Sequence, residues 1–327
     1  MTKINFHVKS KQLNWGDKLE MESTSIFLTG GTGFFGKSIH SMLKRGFGPK
    51  LDFTILSRDP EKFLADNPEL SGLQTVDFIA GDVRDFQFSD RSFDYIFHAA
   101  APAKAMPPGV ERDIIISGTK RVLAFARQCG AKRLMFVSSG AVYGPQPPDL
   151  KRIPEDFPCH PETEYGIAKY EAEQMCLESG IETVIARCFT FVGPYLNRNI
   201  HFAIGNFIRD CLANQDIEIK GDGTPYRSYL YADDLVKWLF TILFEGHGGQ
   251  AYNVGSDQAV SIRELAETVR RVLHSDNQIV IRGTPVPGQP SARYVPDITK
   301  IQRDLHVRIE TGLEDAIRKT VQNDPVN

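Results

Sequence analysis

Ile26-Phe27-Leu28-Thr29-Gly30-Gly31-Thr32-Gly33-Phe34-Phe35-Gly36-Lys37-Ser38 is the stretch on which the reading of this chain turns. A short apolar strand runs into a glycine-rich turn and a helix start, the layout that cradles phosphate on backbone N–H groups at a helix N-terminus. Two incompatible fingerprints fit it. Gly30, Gly33 and Gly36 have the GxxGxxG spacing of dinucleotide-binding turns, with Phe34 and Phe35 at the helix entry. Gly31, Gly36, Lys37 and Ser38 also satisfy the triphosphatase pattern GxxxxGK[ST].

A triphosphatase needs a second acidic site, usually an Asp ending a buried strand, to hold magnesium. The expected strand Tyr95 to Ala99 has Asp94 at its beginning and His98 at its end, and the strand Leu134 to Ser138 runs into Ser139. Without that acid, Lys37 and Ser38 are expected to be surface residues in the first turn of a helix.

Outward from the turn, strand and helix patterns alternate. Strands are expected at Ile26 to Thr29, Asp52 to Leu56, Thr75 to Ile79, Tyr95 to Ala99, Leu134 to Ser138 and Thr183 to Ala186. Helices are expected at Phe35 to Arg45, Pro60 to Asn67, Glu111 to Gln128 and Tyr165 to Glu178. Repeated units of this length predict an α/β fold, a doubly wound parallel sheet with its site at the strand C-termini. From about Pro194 the rhythm breaks into isolated helices (Phe202 to Leu212, Asp233 to Phe244, Ile262 to Leu273, Leu313 to Val321) and short strands near Ile217 and Ala251. The expected organisation is an N-terminal arm (1–24), a dinucleotide-binding domain (25–193) and a smaller substrate-binding lobe (194–327), with segments free to pass between lobes.

Composition narrows the class. The 327 residues are 41% hydrophobic and 24% charged, with a formal charge of −3 and no dense basic run, which gives no sign of nucleic acid. Cys129, Cys159, Cys176, Cys188 and Cys211 form no CxxC pair, which argues for free thiols and against zinc or a disulfide framework. No secretory h-region or membrane-spanning run is visible, so a soluble cytoplasmic protein is expected. His98, His201 and His247 lack ligand spacing, and no metal is expected.

The chemistry is expected at Ser139, Tyr165 and Lys169. A YxxxK pair is common by chance, but this one opens a helix shortly after a serine-rich strand end. At four-residue spacing the two side chains share a helix face, so the ammonium can sit near the phenol. Lowering a tyrosine from about 10 to about 7 takes roughly 4 kcal/mol of preferential phenolate stabilisation. Lys169 and an oxidised nicotinamide are expected to supply it. Such a tyrosine takes a proton from a hydroxyl or returns one to a carbonyl, with Ser139 on the same oxygen.

Together with Gly81-Asp82-Val83, His98-Ala99-Ala100-Ala101, the segment Arg187 to Pro194 and the segment Lys220 to Leu235, these residues resemble the extended short-chain dehydrogenase/reductases, specifically the nucleotide-sugar epimerase/dehydratase group. The resemblance runs from about Ser25 to the C-terminus. It implies that Asp82 and Val83 contact the adenine side of the cofactor and that Ala99, Ala100 and Ala101 line it. It implies Thr190 in the substrate segment, Arg227 on the substrate pyrophosphate and Arg293 as a second phosphate ligand. A structural ion pair from Arg227 to Asp233 or Asp234 is the competing expectation. The family's homodimer, built on the helices Glu111 to Gln128 and Tyr165 to Glu178, is the implied assembly.

Departures from the family pattern refine the reaction. Dehydratases of the group carry an Asp–Glu pair directly after the serine or threonine; here Gly140 and Ala141 stand there, and the corresponding Glu of decarboxylases is missing too. An Asn is replaced by Thr190, and an Arg by Val286. These losses favour 4-epimerisation or 4-keto reduction over a dehydratase using acids elsewhere. A non-catalytic dinucleotide sensor is the reading from another class. At the end of the second strand, Ser57 and Arg58 replace the acid that binds the adenosine ribose in NAD enzymes, so the residues favour NADP while the resemblance favours NAD.

Overall fold

The computed structural model describes residues 24–46, 51–102, 106–107, 109–199 and 202–324. The expected arm, apart from Thr24, and His201 lie outside them. The first half alternates β1 (Thr24–Thr29), α1 (Phe34–Lys44), β2 (Leu51–Ser57), α2 (Pro60–Asp66), β3 (Val76–Ala80), β4 (Tyr95–His98), α3 (Val110–Gln128), β5 (Arg133–Ser139), α4 (Glu164–Leu177) and β6 (Thr183–Cys188). The second half holds β7 (Phe191–Val192), α5 (Ala203–Leu212), β8 (Ile217–Ile219), β9 (Tyr226–Arg227), β10 (Leu230–Tyr231) and α6 (Ala232–Glu245). It continues through β11 (Ala251–Val254), β12 (Val260–Ser261), α7 (Ile262–Val272), β13 (Ile279–Ile281), β14 (Arg293–Tyr294), α8 (Thr299–Leu305) and α9 (Leu313–Gln322).

Seven strands form one parallel sheet in the order β11-β6-β5-β4-β1-β2-β3. The chain reverses direction across the sheet between β1 and β4, and ligands of open α/β sheets bind at such a switch point. One face of the sheet is covered by α1 and α6, with Ile39, Met42, Leu235, Trp238 and Leu239 packed into it. The other carries α3 and α4, where Phe27 meets Phe86, Phe93 and Phe125 at ring-centroid distances of 4.7 to 5.5 Å. Each fully buried side chain of this size contributes about 1.5–3 kcal/mol.

Residues beyond 193 divide between two places. β8, β13, α5, α7 and α9 enclose a separate small core around Phe207, Ile217, Leu265, Val269 and Ile317. α6 and β11 instead return to the main sheet: β11 pairs in parallel with β6, and α6 packs across the strands. Their apolar patterns are read correctly as a helix and a strand; their place in the main layer is set by contacts distant in sequence. α8 and most of the two-residue strands lie beyond the reach of periodicity.

Candidate active site

The glycine turn is shaped by close approach. Gly30 has φ +77°, and a Cβ there would lie 2.6 Å from the Ala99 carbonyl carbon and oxygen, so the turn is pressed onto the end of β4. A Cβ on Gly36 would lie 2.0 Å from the Gly31 oxygen. Gly33 differs: its Cβ would meet the Gly30 oxygen only at 3.4 Å, so this position keeps clear the space in front of α1 rather than a gap in the protein. Gly33 is also the N-cap of α1 and gives no side-chain cap, which leaves the first helical N–H groups for an anion.

Lys37 and Ser38 take no part in this cradle. The half-buried Lys37 ammonium lies 6.0 Å from the Phe63 ring centre. Ser38 is buried, and its hydroxyl donates to the Phe34 carbonyl at 2.8 Å. The expectation of surface residues is corrected for Ser38, because this face of α1 packs inward. The triphosphatase reading loses its magnesium hydroxyl as well.

His98, at the end of β4, props the same region. Thr119 donates to the Ile115 carbonyl at 2.7 Å, so its oxygen accepts from His98 Nε2 at 3.0 Å. His98 Nδ1 then accepts from the Thr29 hydroxyl at 2.7 Å, whose oxygen receives the Ala100 N–H at 3.2 Å. Donor counting thus fixes a neutral Nε2–H imidazole. Burial drives its pKa down to about 3, with the Lys169 charge adding to the effect.

Ser139, Tyr165 and Lys169 converge at the C-terminal end of β5. The Ser139 hydroxyl accepts the Ala141 N–H at 3.1 Å and caps a single helical turn, residues 140–143. α4 begins close to that turn because Thr163 caps it through the Gly166 N–H at 3.0 Å. Gly166 has no side chain to strike the Ala141 oxygen, which an added Cβ would approach to 2.7 Å. This brings Tyr165 to the end of β5, where Ser139 is among the groups that act on its phenol. Lys169 is buried, donates to the Val137 carbonyl at 2.9 Å and lies 5.9 Å from the Tyr165 ring centre.

The expected lowering of the phenol draws on an oxidised nicotinamide as well as Lys169; the protein's own groups together act in the opposite direction. Burial pushes Tyr165 up to about 12, with Ser139 opposing and Cys188 and Glu111 reinforcing the rise. Burial also lowers Lys169 to about 8. The ammonium is anchored on the sheet backbone, so the protein alone keeps the phenol protonated.

At the adenosine end, Ser57 is buried and its hydroxyl accepts the Asp59 N–H at 3.3 Å. Asp59 is committed to capping α2 through the Lys62 N–H at 2.9 Å. Arg58 is exposed beside Asp82. Asp82 is paired with Arg84 at 2.8 Å, and that guanidinium holds its carboxyl below the usual range. Val83 packs against Gly118 of α3, where a Cβ would come within 2.9 Å.

On the substrate side, β9 lies between β12 and β14. The expected ion pairs of Arg227 are not formed: Asp233 binds Arg45 at 2.7 Å, and Asp234 accepts the Glu310 and Thr311 N–H groups at 3.0 and 2.9 Å. Register aligns Arg227 with Tyr294 and Tyr226 with Arg293. Arg227 thus lies on the Tyr294 side, 6.0 Å from that ring centre, while Arg293 stacks on Tyr226 at 4.1 Å on the opposite side. The strand register separates the two arginines. Thr190 brings a buried hydroxyl with no protein partner, as does Ser228 nearby in sequence to Arg227.

Tyr294 is the site residue that sequence reasoning missed. Its ring lies 4.7 Å from Phe189, and a Cβ on Gly140 would sit 2.6 Å from its hydroxyl. The bare glycine at 140 was the visible signal that something else fills that space.

Residues 26–255 match the model of the NAD dependent epimerase/dehydratase family. The chain belongs to that family. Its relatives include UDP-glucuronic acid decarboxylase 1 of Danio rerio, 27% identical over 93% of this chain and 73% of the relative. UDP-glucose 4-epimerase of Thermotoga maritima superposes with a TM-score of 0.76 at 22% identity, covering 91% of this chain and 98% of the other. DesIV, a dTDP-glucose 4,6-dehydratase of Streptomyces venezuelae solved with NAD, gives 0.77 at 24% identity over 91% and 96%.

The residues of this family member fit a dinucleotide. The uncapped start of α1, the space kept by Gly33 and the Ala99 to Ala101 wall form a cradle at the switch point. Among the described residues, no group of three or more His, Cys, Asp and Glu could hold a metal ion, and no helix is long and apolar enough to cross a membrane.

Proposed function

We propose that this enzyme carries out NAD(P)-dependent epimerisation or ketoreduction of a nucleotide sugar, with the redox step at the sugar C4. The observation that carries the reading is the convergence of Ser139, Tyr165 and Lys169 at the β5 end, beside the glycine cradle. The dinucleotide supplies the site that takes up and returns the C4 hydrogen as hydride. Tyr165 removes the hydroxyl proton as the C4 carbonyl forms and returns a proton when the carbonyl is reduced. Ser139 hydrogen-bonds the same oxygen. Lys169 holds positive charge behind the phenol and binds the nicotinamide ribose. Arg227, free of Asp233 and Asp234, takes the substrate pyrophosphate, a role suited to a planar multi-donor cation.

Several relatives are decarboxylases or dehydratases by name. Gly140 and Ala141 supply neither acid nor base for elimination here. One observation favours a second reading: Glu111 of α3 acts electrostatically on Tyr165, and burial and Glu164 raise its own pKa. A dehydratase would use Glu111 as its acid, and Glu111→Gln would then stop water loss while sparing hydride transfer.

The test is turnover of UDP- and dTDP-hexoses, followed by mass spectrometry and NAD(P)H absorbance. Tyr165→Phe is expected to keep cofactor binding and lose at least about a hundredfold in kcat. Cofactor binding without turnover on any sugar nucleotide would favour the sensor reading. A homodimer through α3 and α4 accords with exposed Val110, Ile167 and Leu177 on those helices.

A further inference from the structure

The buried positions of α4 hold little that could lock a helix by shape. Gly166, Ala168, Ala172 and Cys176 are small, and the two long side chains among them, Lys169 and Glu173, are charged. At four-residue spacing Tyr165, Lys169 and Glu173 share one side of the helix. Lys169 donates to the Val137 carbonyl of β5 at 2.9 Å. One turn further on, Glu173 meets Arg187 of β6 in a buried pair. It accepts from Nε at 3.1 and 3.3 Å and from Nη2 at 2.9 Å. Polar contacts therefore pin α4 to two neighbouring strands of the main sheet.

The same guanidinium holds a second part of the site. Its Nη1 donates to the Tyr143 hydroxyl at 3.0 Å and to the Glu155 carbonyl at 3.3 Å. Tyr143 ends the single turn that Ser139 caps, and its own O–H donates to Asn253 Oδ1 of β11 at 2.8 Å. Asn253 Nδ2 donates in turn to the Ile153 and Asp297 carbonyls at 2.8 and 3.1 Å. Glu173, Arg187, Tyr143 and Asn253 are all buried. We infer that Arg187 is a positioning residue: through Glu173 it fixes the side of α4 that carries Tyr165 and Lys169, and through Tyr143 the turn that follows Ser139. The inference deepens the proposed redox reading of this site and rests on it.

A buried ion pair adds little to stability, because desolvation offsets the attraction of its charges. What a guanidinium supplies here is direction. Its donors leave a rigid plane at fixed angles, and Nε, Nη1 and Nη2 are all committed, to a helix, a turn and a loop that could otherwise shift independently. A displacement of about 1 Å at reacting groups costs on the order of a hundredfold in rate, so a device that fixes α4 against the turn matters to the reaction more than to the fold.

The experiment combines steady-state kinetics with amide hydrogen exchange on the full chain. Arg187→Lys keeps a positive charge for Glu173 but loses the planar fork. It is expected to lower kcat by about 10- to 100-fold. The sugar-nucleotide KM, which draws on Arg227 outside the network, should stay within about threefold of wild type. Amides of 140–143 and 165–173 should exchange at least about tenfold faster, while those of α5 and α7 in the small core keep their wild-type rates. Should Arg187→Lys not fold, the double variant Glu173→Leu with Arg187→Met removes both charges, a replacement that buried pairs commonly tolerate, and the same pattern is expected. Wild-type kcat, uniformly faster exchange across the chain, or failure of both variants to fold marks the pair as merely structural and overturns the inference. Failure of the redox reading shows separately, as no turnover by wild type on any sugar nucleotide. The exchange pattern alone then decides whether Arg187 fixes α4 and the turn.

Discussion

The Lys169 ammonium donates to the Val137 carbonyl oxygen at 2.9 Å, inside the protein and one turn from the phenol it serves. That placement costs stability. Burial lowers the Lys169 pKa from its ordinary 10.5 to about 8. An unfolded chain therefore binds more protons than the folded one between those values, and stability rises as pH climbs from about 8 to 10.5. Below pH 8 the buried charge costs on the order of 3 kcal/mol. Lys169→Met should raise the urea midpoint at pH 7 while abolishing turnover. A variant less stable than wild type would contradict this account.

His40 offers the complementary acid-side test. It is fully buried on α1 between Phe63 and Phe78, neither ring nitrogen has a partner, and burial lowers its pKa from 6.5 to about 4. Unfolding takes up a proton in that window, so stability falls as pH drops from 6.5 towards 4, by up to roughly 3 kcal/mol. His40→Leu should be more stable than wild type, and the difference should widen at pH 5. Equal thermal midpoints at pH 5 and pH 7.5 would count against it.

The cradle can be broken without touching a charge. Gly36→Ala forces a Cβ to 2.0 Å from backbone at Gly31, where no side chain can yield. NAD+ binding by calorimetry should be lost, together with several kcal/mol of stability, on the order of 3–5. At Gly33 the clearance is 3.4 Å, so Gly33→Ala should fold normally and lose affinity alone.

Arg58 is the residue that tests the cofactor preference. Asp59 holds the α2 cap, Asp82 is paired with Arg84, and Arg58 is exposed; if Arg58 meets a 2′-phosphate, its removal separates the two cofactors. Arg58→Ala should weaken NADPH roughly tenfold, the worth of one charge-assisted contact, and leave NADH nearly unchanged. Equal losses for both nucleotides would assign Arg58 to adenine stacking instead.

Much of this was legible because it is local. Gly30, Gly33 and Gly36 lie on one turn, and Tyr165 and Lys169 lie on one helix face, so spacing alone places them. The strands β1 to β6 alternate with their helices at regular intervals, and their patterns survive without tertiary help. What could not be read was set by distant pairing. The separation of Arg227 from Arg293 comes from a two-residue register between β9 and β14. The Tyr294 hydroxyl fills the space beside Gly140 from far along the sequence, with no periodicity to announce it. The raised Tyr165 pKa depends on burial, which no spacing reveals.

The seventh strand of the main sheet, β11, comes from residues 251–254, and its parallel partner β6 ends at 188. During synthesis, the β6 edge stays open until the ribosome has passed those residues and the strand has emerged. α6, with Trp238 in the main core, arrives in the same interval. A nascent chain halted near residue 193 thus presents an unpaired apolar strand and an uncovered sheet face, the form most prone to mispairing. The main sheet stays open for the roughly sixty residues between β6 and β11, and the last of its seven strands to be made is the one that closes this edge.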